Sequence, residues 1–323
     1  MTDDSLLRVG VAGARADAAD VRAFDLVAEE GGPLPGFHGG AYVDVAMTLA
    51  SGVGTRRSYS IASPPQDAPT AYLLGVLREK AGTGGSAHMH DHVREGDVLE
   101  ITRPKNFFEL AAGAEHSVLI AGGIGITPIL AMAHELGASG ASFELHYAAQ
   151  TPDRMAFRNT VESFGDRSRL YFDGGDPASG VPLRDAMGLP DPGRQVYVCG
   201  PKGMIEAVRQ IGRDRFWPED HVHFEVFLPP KPLAEDGSIE VVVNSTGETM
   251  IVPPGKPILD VLLEASVDSD YDCRMGICGT CAVRVLEGEP DHRDSVLTDS
   301  EHAQGMMCTC VSRAKSARLV LDH

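Results

Sequence analysis

This chain has no apolar stretch of the length a membrane-spanning helix needs, about 20 consecutive residues. Its first seven residues read MTDDSLL. They lack the basic-then-apolar order of a secretory leader, so a cytoplasmic location is expected. Basic residues are scarce. The 28 Lys and Arg face 46 Asp and Glu, a formal net charge of -18, which disfavours nucleic acid and anionic lipid as partners and favours a protein with a basic face. Aromatics make up only 6% of the chain, so the cores must come from aliphatic runs; with 43% of 323 residues hydrophobic there is material for two or three domains. Internal repeats and low-complexity tracts are absent, and no Ser-His-Asp or Cys-His arrangement suggests nucleophilic catalysis. Cysteine is rare outside one short segment. Cys199 stands alone, and the other five of the six cysteines lie between 273 and 310. In a long chain without a leader, such a cluster reads as metal binding rather than disulfides.

What is present falls into three regions. Residues 1–109 carry strand-length apolar runs, Val43–Met47 and Ala71–Leu77, separated by glycine-rich turns, the pattern of a small antiparallel barrel. From 110 to 228 short buried strands (His116–Ala121, Phe143–Tyr147, Leu170–Phe172, Gln195–Cys199) alternate with helical stretches (Pro128–Leu136 and 202–211), which predicts a parallel α/β sheet. Residues 229–237, rich in proline and charge, read as a semi-rigid linker. Within 238–323 a hairpin is expected over Ile239–Val243 and Thr249–Val252. A helix is expected over Ile258–Ala265, with Pro257 suited to its first turn.

The cysteine spacing is Cys273-x4-Cys278-x2-Cys281, with Cys310 following after 28 intervening residues. Plant-type [2Fe-2S] sites use C-x4-C-x2-C…C, four thiolates completing two iron tetrahedra. Gly276 and Gly279 supply the tight loop and let backbone N–H groups approach the sulfurs. Structural zinc sites pair C-x2-C units, and only Cys278 and Cys281 form one. Cys308 lies close enough to rival Cys310.

Two other motifs carry nucleotide chemistry. Arg57-Ser58-Tyr59-Ser60 is similar to the R-x-Y-[ST] motif of ferredoxin-reductase-type flavin barrels. There an arginine fork neutralises phosphate, a tyrosine covers one flavin face and a hydroxyl bonds flavin N5. Gly84-Gly85-Ser86 offers further N–H groups and a hydroxyl to a phosphate. Ala121-Gly122-Gly123-Ile124-Gly125-Ile126-Thr127-Pro128 joins a buried strand to a helix, where bare backbone can approach a pyrophosphate; its spacing is not the Rossmann fingerprint. Asp173, after another strand, could bond ribose hydroxyls and repel a 2′-phosphate, which favours NADH, although Arg154 leaves NADPH open. His88, His90 and His92 recur at period two and suggest a solvated edge or loop rather than a metal site. His292 reads as structural.

These motifs, with Cys199-Gly200-Pro201, Glu289–Ser295 and the closing run Cys310–Ser316, resemble the phthalate dioxygenase reductase and vanillate demethylase reductase family in order and over nearly the whole chain. The resemblance implies an FMN β-barrel, a NAD α/β domain and a C-terminal β-grasp ferredoxin on one polypeptide. It implies Cys310 as the fourth cluster ligand, with Cys308 a bystander. Cys199 would lie beside the nicotinamide to position it, with Gly200 and Pro201. Glu225 and Phe227 would lie near the flavin–nicotinamide junction, with Ser60, Cys199 and Glu225 as the catalytic set. The implied function is transfer of electrons from NADH through FMN and the cluster to a separate oxygenase, Rieske-type or O-demethylase, with a monomer expected. A cytochrome P450 is the alternative acceptor. An electron carrier with a degenerate nucleotide site is the reading from another class.

Overall fold

The computed structural model describes residues 6–49, 52, 54–79, 84–227 and 236–323. The chain divides into two compact units, Met1–Glu225 and Val226–His323.

The first unit contains two sheets. Strands β1 (Leu7–Ala18), β2 (Val21–Ala28), β3 (Tyr42–Thr48), β4 (Gly54–Ser60), β5 (Tyr72–Leu77) and β6 (Val98–Ile101) pair antiparallel in the order β4-β3-β6-β1-β2-β5. A bridge from Ile61, one residue past β4, to Leu74 of β5 joins the two edges and closes the sheet toward a barrel. Alternation puts Val9, Val11, Phe24, Leu26, Val43, Val45 and Leu74 inside, all buried. Helix α1 (Gly85–His92) lies between β5 and β6 in sequence.

The second sheet holds β7 (His116–Gly122), β8 (Ser142–Ala149), β9 (Ser168–Phe172), β10 (Arg194–Cys199) and β11 (Val222–Glu225), all parallel, in the order β11-β10-β7-β8-β9. Its helices are α2 (Ile126–Ser139), α3 (Arg158–Glu162), α4 (Leu183–Met187) and α5 (Lys202–Asp214). The β7 run Ser117–Gly122 is buried throughout, as expected for a central parallel strand covered on both faces. The chain builds outward from β7 through β8 and β9, then returns to lay β10 and β11 on its other side. The strand order therefore reverses between β7 and β10, and the carboxyl ends of such a pair form the crevice where open α/β sheets bind ligands.

The second unit has a mixed five-stranded sheet. Strands β12 (Ile239–Val243), β13 (Thr249–Val252), β14 (Ala282–Glu287), β16 (Met306–Cys308) and β18 (Arg318–Asp322) are ordered β13-β12-β18-β14-β16, and β15 (Pro290–Asp291) pairs with β17 (Arg313–Ala314). Helix α6 (Ile258–Glu264) packs Ile258 and Leu262 into the core with Val241, Val252 and Leu319. Short α7 (Asp299–Ala303) starts in a capping box, Thr298 and Glu301 each satisfying the other's backbone N–H.

Three expectations change. Pro257 is the cap before α6 rather than a first-turn residue. The three histidines lie on α1, not on an edge or loop; His88 and His92, four residues apart, share a face with ring centroids 5.1 Å apart, and His90 is committed to the Val76 carbonyl at 2.8 Å. Residues 229–235 of the expected linker lie outside the described residues, and its last two residues are anchored instead. Asp236 is gripped by Arg293 at 2.6 and 2.9 Å, and the Gly237 carbonyl accepts from Arg313 at 2.8 Å. His292, read as structural, stacks on His302 with ring centroids 3.9 Å apart.

Candidate functional site

The flavin motif lies on β4. Strand alternation places Arg57 and Tyr59 on one face, Ser58 and Ser60 on the other. Ser58 donates to Asp44 of β3 at 2.5 Å, so its hydroxyl is engaged within the sheet. Ser60 is buried at the end of β4. The Tyr59 hydroxyl is buried with no hydrogen-bond partner, and burial pushes its pKa up. A buried donor left alone costs about 1–3 kcal/mol, so an occupant that satisfies it fits this face. Gly84 enters α1 with φ 95°, a left-handed angle that favours glycine. At Gly85 a Cβ would lie 2.6 Å from Arg57 Cγ, so the arginine lies directly against the first residue of the helix. A guanidinium beside a helix N-terminus suits a phosphate. Ser86 Oγ accepts from Glu79 N at 3.0 Å, which links the chain just past β5 to the start of α1.

The nucleotide loop lies at the β7/β10 reversal. Ala121 pairs with Cys199 in register, and Gly122 follows on β7. A Cβ on Gly125 would fall 2.3 Å from the Cys199 carbonyl oxygen, one on Gly122 would fall 2.5 Å from Pro201 Cδ, and one on Gly200 would fall 3.0 Å from Gly122 Cα. The two turns thus cross with no room for side chains; Gly122 and Gly125 are buried at the crossing and Gly123 is half-buried. Gly123 takes φ 54° in the same loop. Thr127 is buried, its hydroxyl donating to Ile124 O at 3.0 Å. Asp173 follows β9 on the same carboxyl edge. Its carboxylate accepts from Gly175 N at 2.8 Å, closing its own turn. Arg154 is engaged by Asp20 at 3.2 Å.

Cys199 also pairs with Glu225 on β11, and its thiol donates toward Glu225 Oε2 at 4.0 Å. Burial raises Glu225 to about 8, so the carboxyl keeps its proton at neutral pH. Burial, then the neighbouring Glu225, pushes the Cys199 thiol well up, which rules out a thiolate nucleophile. Phe227 lies two residues beyond β11, at the start of the second unit.

Sequence reasoning passed over Gly75. A Cβ there would lie 2.7 Å from Phe157 Cε2 and 2.8 Å from Thr127 Cγ2. Barrel strand β5 therefore touches the start of α2 only because residue 75 has no side chain. An isolated glycine inside an otherwise apolar strand was the available signal.

In the second unit the sulfurs interact among themselves. Hydrogen bonds from Cys308 and Cys310 hold the Cys281 thiol low, and that from Cys273 holds Cys278 low. Met275 N donates to Cys273 Sγ at 3.3 Å, and the Gly276 backbone bonds Cys310. Cys310 thus interacts with both Cys281 and Cys273, whereas Cys308 interacts with Cys281, Cys310 and the Asp294 carboxylate. Gly276 takes φ 71°, and a Cβ there would lie 2.6 Å from Val311 Cγ2 and 3.0 Å from Asp294 Cα. Four thiols around a loop of inward N–H groups are a donor set that fits a [2Fe-2S] cluster. His302 was not legible as part of this region, and Asp294 was visible only within the run Glu289–Ser295, because its approach to Gly276 is a tertiary contact.

Comparison with known proteins agrees with this layout. A model of the 2Fe-2S iron-sulfur cluster binding domain matches residues 241–315. The chain is 41% identical to vanillate O-demethylase oxidoreductase of Pseudomonas sp. (strain HR199 / DSM 7063), over 98% of this chain and 100% of that one. The solved phthalate dioxygenase reductase, described as modular for electron transfer from pyridine nucleotides to [2Fe-2S], is 36% identical with TM-score 0.74, covering 99% of this chain and 98% of that one. An intact type IV self-sufficient cytochrome P450 monooxygenase matches 98% of this chain with 41% of its own, at 35% identity and TM-score 0.76. No helix among the described residues is long and apolar enough to cross a membrane. The chain belongs to the family of phthalate dioxygenase reductase and vanillate O-demethylase oxidoreductase, the oxidoreductase components of oxygenase systems.

Proposed function

We propose that the chain takes electrons from NADH at the β7/β10 crevice, passes them through FMN on the barrel to a [2Fe-2S] cluster held by Cys273, Cys278, Cys281 and Cys310, and delivers them to a separate Rieske-type aromatic oxygenase or O-demethylase. The observation that carries this is the side-chain-free crossing of Gly122 and Gly125 with Cys199-Gly200 on the same chain as the four-thiol loop. A flavin accepts hydride from a nicotinamide as a pair of electrons and releases them singly, which is what links a two-electron donor to a one-electron cluster.

The chain's own residues do the rest. Arg57 and the start of α1 bind phosphate. Ser60 is the hydroxyl offered toward flavin N5. Gly122, Gly123 and Gly125 let the dinucleotide approach the backbone, with Thr127 holding the loop through Ile124. Cys199 and protonated Glu225 form an uncharged wall beside the ring, with Gly200 and Pro201 shaping it. Asp173 supports NADH over NADPH, because a carboxylate repels a 2′-phosphate. We read residues 1–109 as the FMN barrel, 110–228 as the NAD domain and 238–323 as the ferredoxin domain, in a monomeric, cytoplasmic protein. Residues 237–323 hold 14 Asp or Glu and 7 Lys or Arg, which suits steering toward a basic patch on the acceptor.

The match to a P450 fusion favours a second acceptor, a cytochrome P450. The test is anaerobic reduction by NADH or NADPH, followed by mixing with candidate Rieske oxygenases and P450s. Fast reoxidation by a Rieske centre supports the proposal. Reoxidation by P450 alone supports the second reading, and no reduction by either nucleotide removes both.

A further inference from the structure

We propose that His292, Asp294 and His302 form a divalent-metal site, distinct from the cysteine thiols, that takes zinc or a similar borderline transition ion. One ligand atom from each of the three lies within 4.8 Å of the others. Two imidazoles and a carboxylate are a donor set that suits such ions. A zinc ion about 2.0–2.1 Å from each tetrahedral donor sets those donors roughly 3.4 Å apart, so the three side chains close by up to about 1.4 Å when the ion binds.

The geometry is that of a prepared site rather than a chance encounter. The Asp294 side chain is 0% exposed and accepts from His302 Nε2 at 3.2 Å and from Leu297 N at 3.0 Å. The imidazoles of His292 and His302 stack with ring planes 20° apart. A simple Asp–His hydrogen bond accounts for His302 but not for His292, whose Nδ1 is buried with no partner. The donors come from separately anchored elements. His292 and Asp294 follow β15, which is pinned by its pairing to β17 and by the Arg293–Asp236 ion pair. His302 rides on α7, fixed by the Thr298–Glu301 capping box.

The site also touches the cluster loop. Ser295 N donates to the Gly276 carbonyl at 2.9 Å, and the Asp294 backbone packs against Gly276. An ion held by Asp294 would brace the turn between Cys273 and Cys278.

The test titrates cluster-loaded, full-length protein with Zn²⁺ by calorimetry, with electron paramagnetic resonance of the reduced cluster checking that iron and sulfur are retained. The expected result is one saturable zinc per chain, weakened tenfold or more in His302→Gln and in His292→Gln but unchanged in His88→Gln. Zinc-edge X-ray absorption of the wild type, which depends on no variant, should show imidazole and oxygen ligands. No saturable binding, equal binding in the His302 and His292 variants, or sulfur in the zinc shell would each overturn the proposal.

Discussion

Replacing Glu225 by glutamine should stabilise the first unit, and increasingly so as pH rises. The carboxyl is buried, and burial lifts its pKa from 4.5 to about 8. Below pH 4.5 both folded and unfolded chains hold the proton, and the group costs nothing. Between 4.5 and 8 the unfolded chain releases it while the folded chain does not, so stability falls as pH rises. Above 8 the folded carboxyl also ionises and the penalty levels off. At about 1.36 kcal/mol per pH unit the full penalty is on the order of 5 kcal/mol, with roughly half of it accruing between pH 6 and 9. Glutamine keeps the shape and carries no charge. Urea unfolding followed by flavin release at pH 6, 7.5 and 9 gives the difference between wild type and variant, in which other titrations cancel. A difference that stays flat across this range would refute the assignment of a buried, neutral Glu225.

Cys310→Ser should abolish the cluster's visible and paramagnetic signals, whereas Cys308→Ser should keep them, because Cys310 faces both Cys281 and Cys273 and is bonded by the Gly276 backbone of the cysteine loop. Arg57→Ala should lower flavin retention on gel filtration by more than tenfold, since it removes the cation beside the start of α1, while leaving cluster content unchanged. Arg293→Ala strands the Asp236 carboxylate, whose side chain is 6% exposed, and should destabilise the second unit by about 3 kcal/mol, read from its denaturant midpoint.

The parts of the fold that were legible in the sequence are those fixed by local pattern. The β7 run and α2 were readable because an unbroken apolar stretch meets a glycine turn. The four-cysteine spacing was readable because cluster geometry dictates it. The α1 histidines misled because three histidines at period two mimic a strand face, whereas Gly84, with its left-handed angle, starts a helix there. The end of the linker misled because proline and charge describe solvent-facing chain equally well, and the burial of Asp236 depends on Arg293, 57 residues away. Gly75, Asp294 and His302 act through contacts that no local window contains. Ser58 shows the limit of motif transfer: its neighbours Arg57 and Tyr59 share a face, but the strand turns its hydroxyl toward Asp44.

The central claim is a directed relay on one chain, and anaerobic stopped-flow mixing with NADH tests it most directly. The account predicts flavin bleaching first, then reduction of the cluster in a second, unimolecular phase whose rate does not depend on protein concentration. Flavin that bleaches while the cluster stays oxidised, or a cluster that reduces only through collisions between molecules, would contradict it.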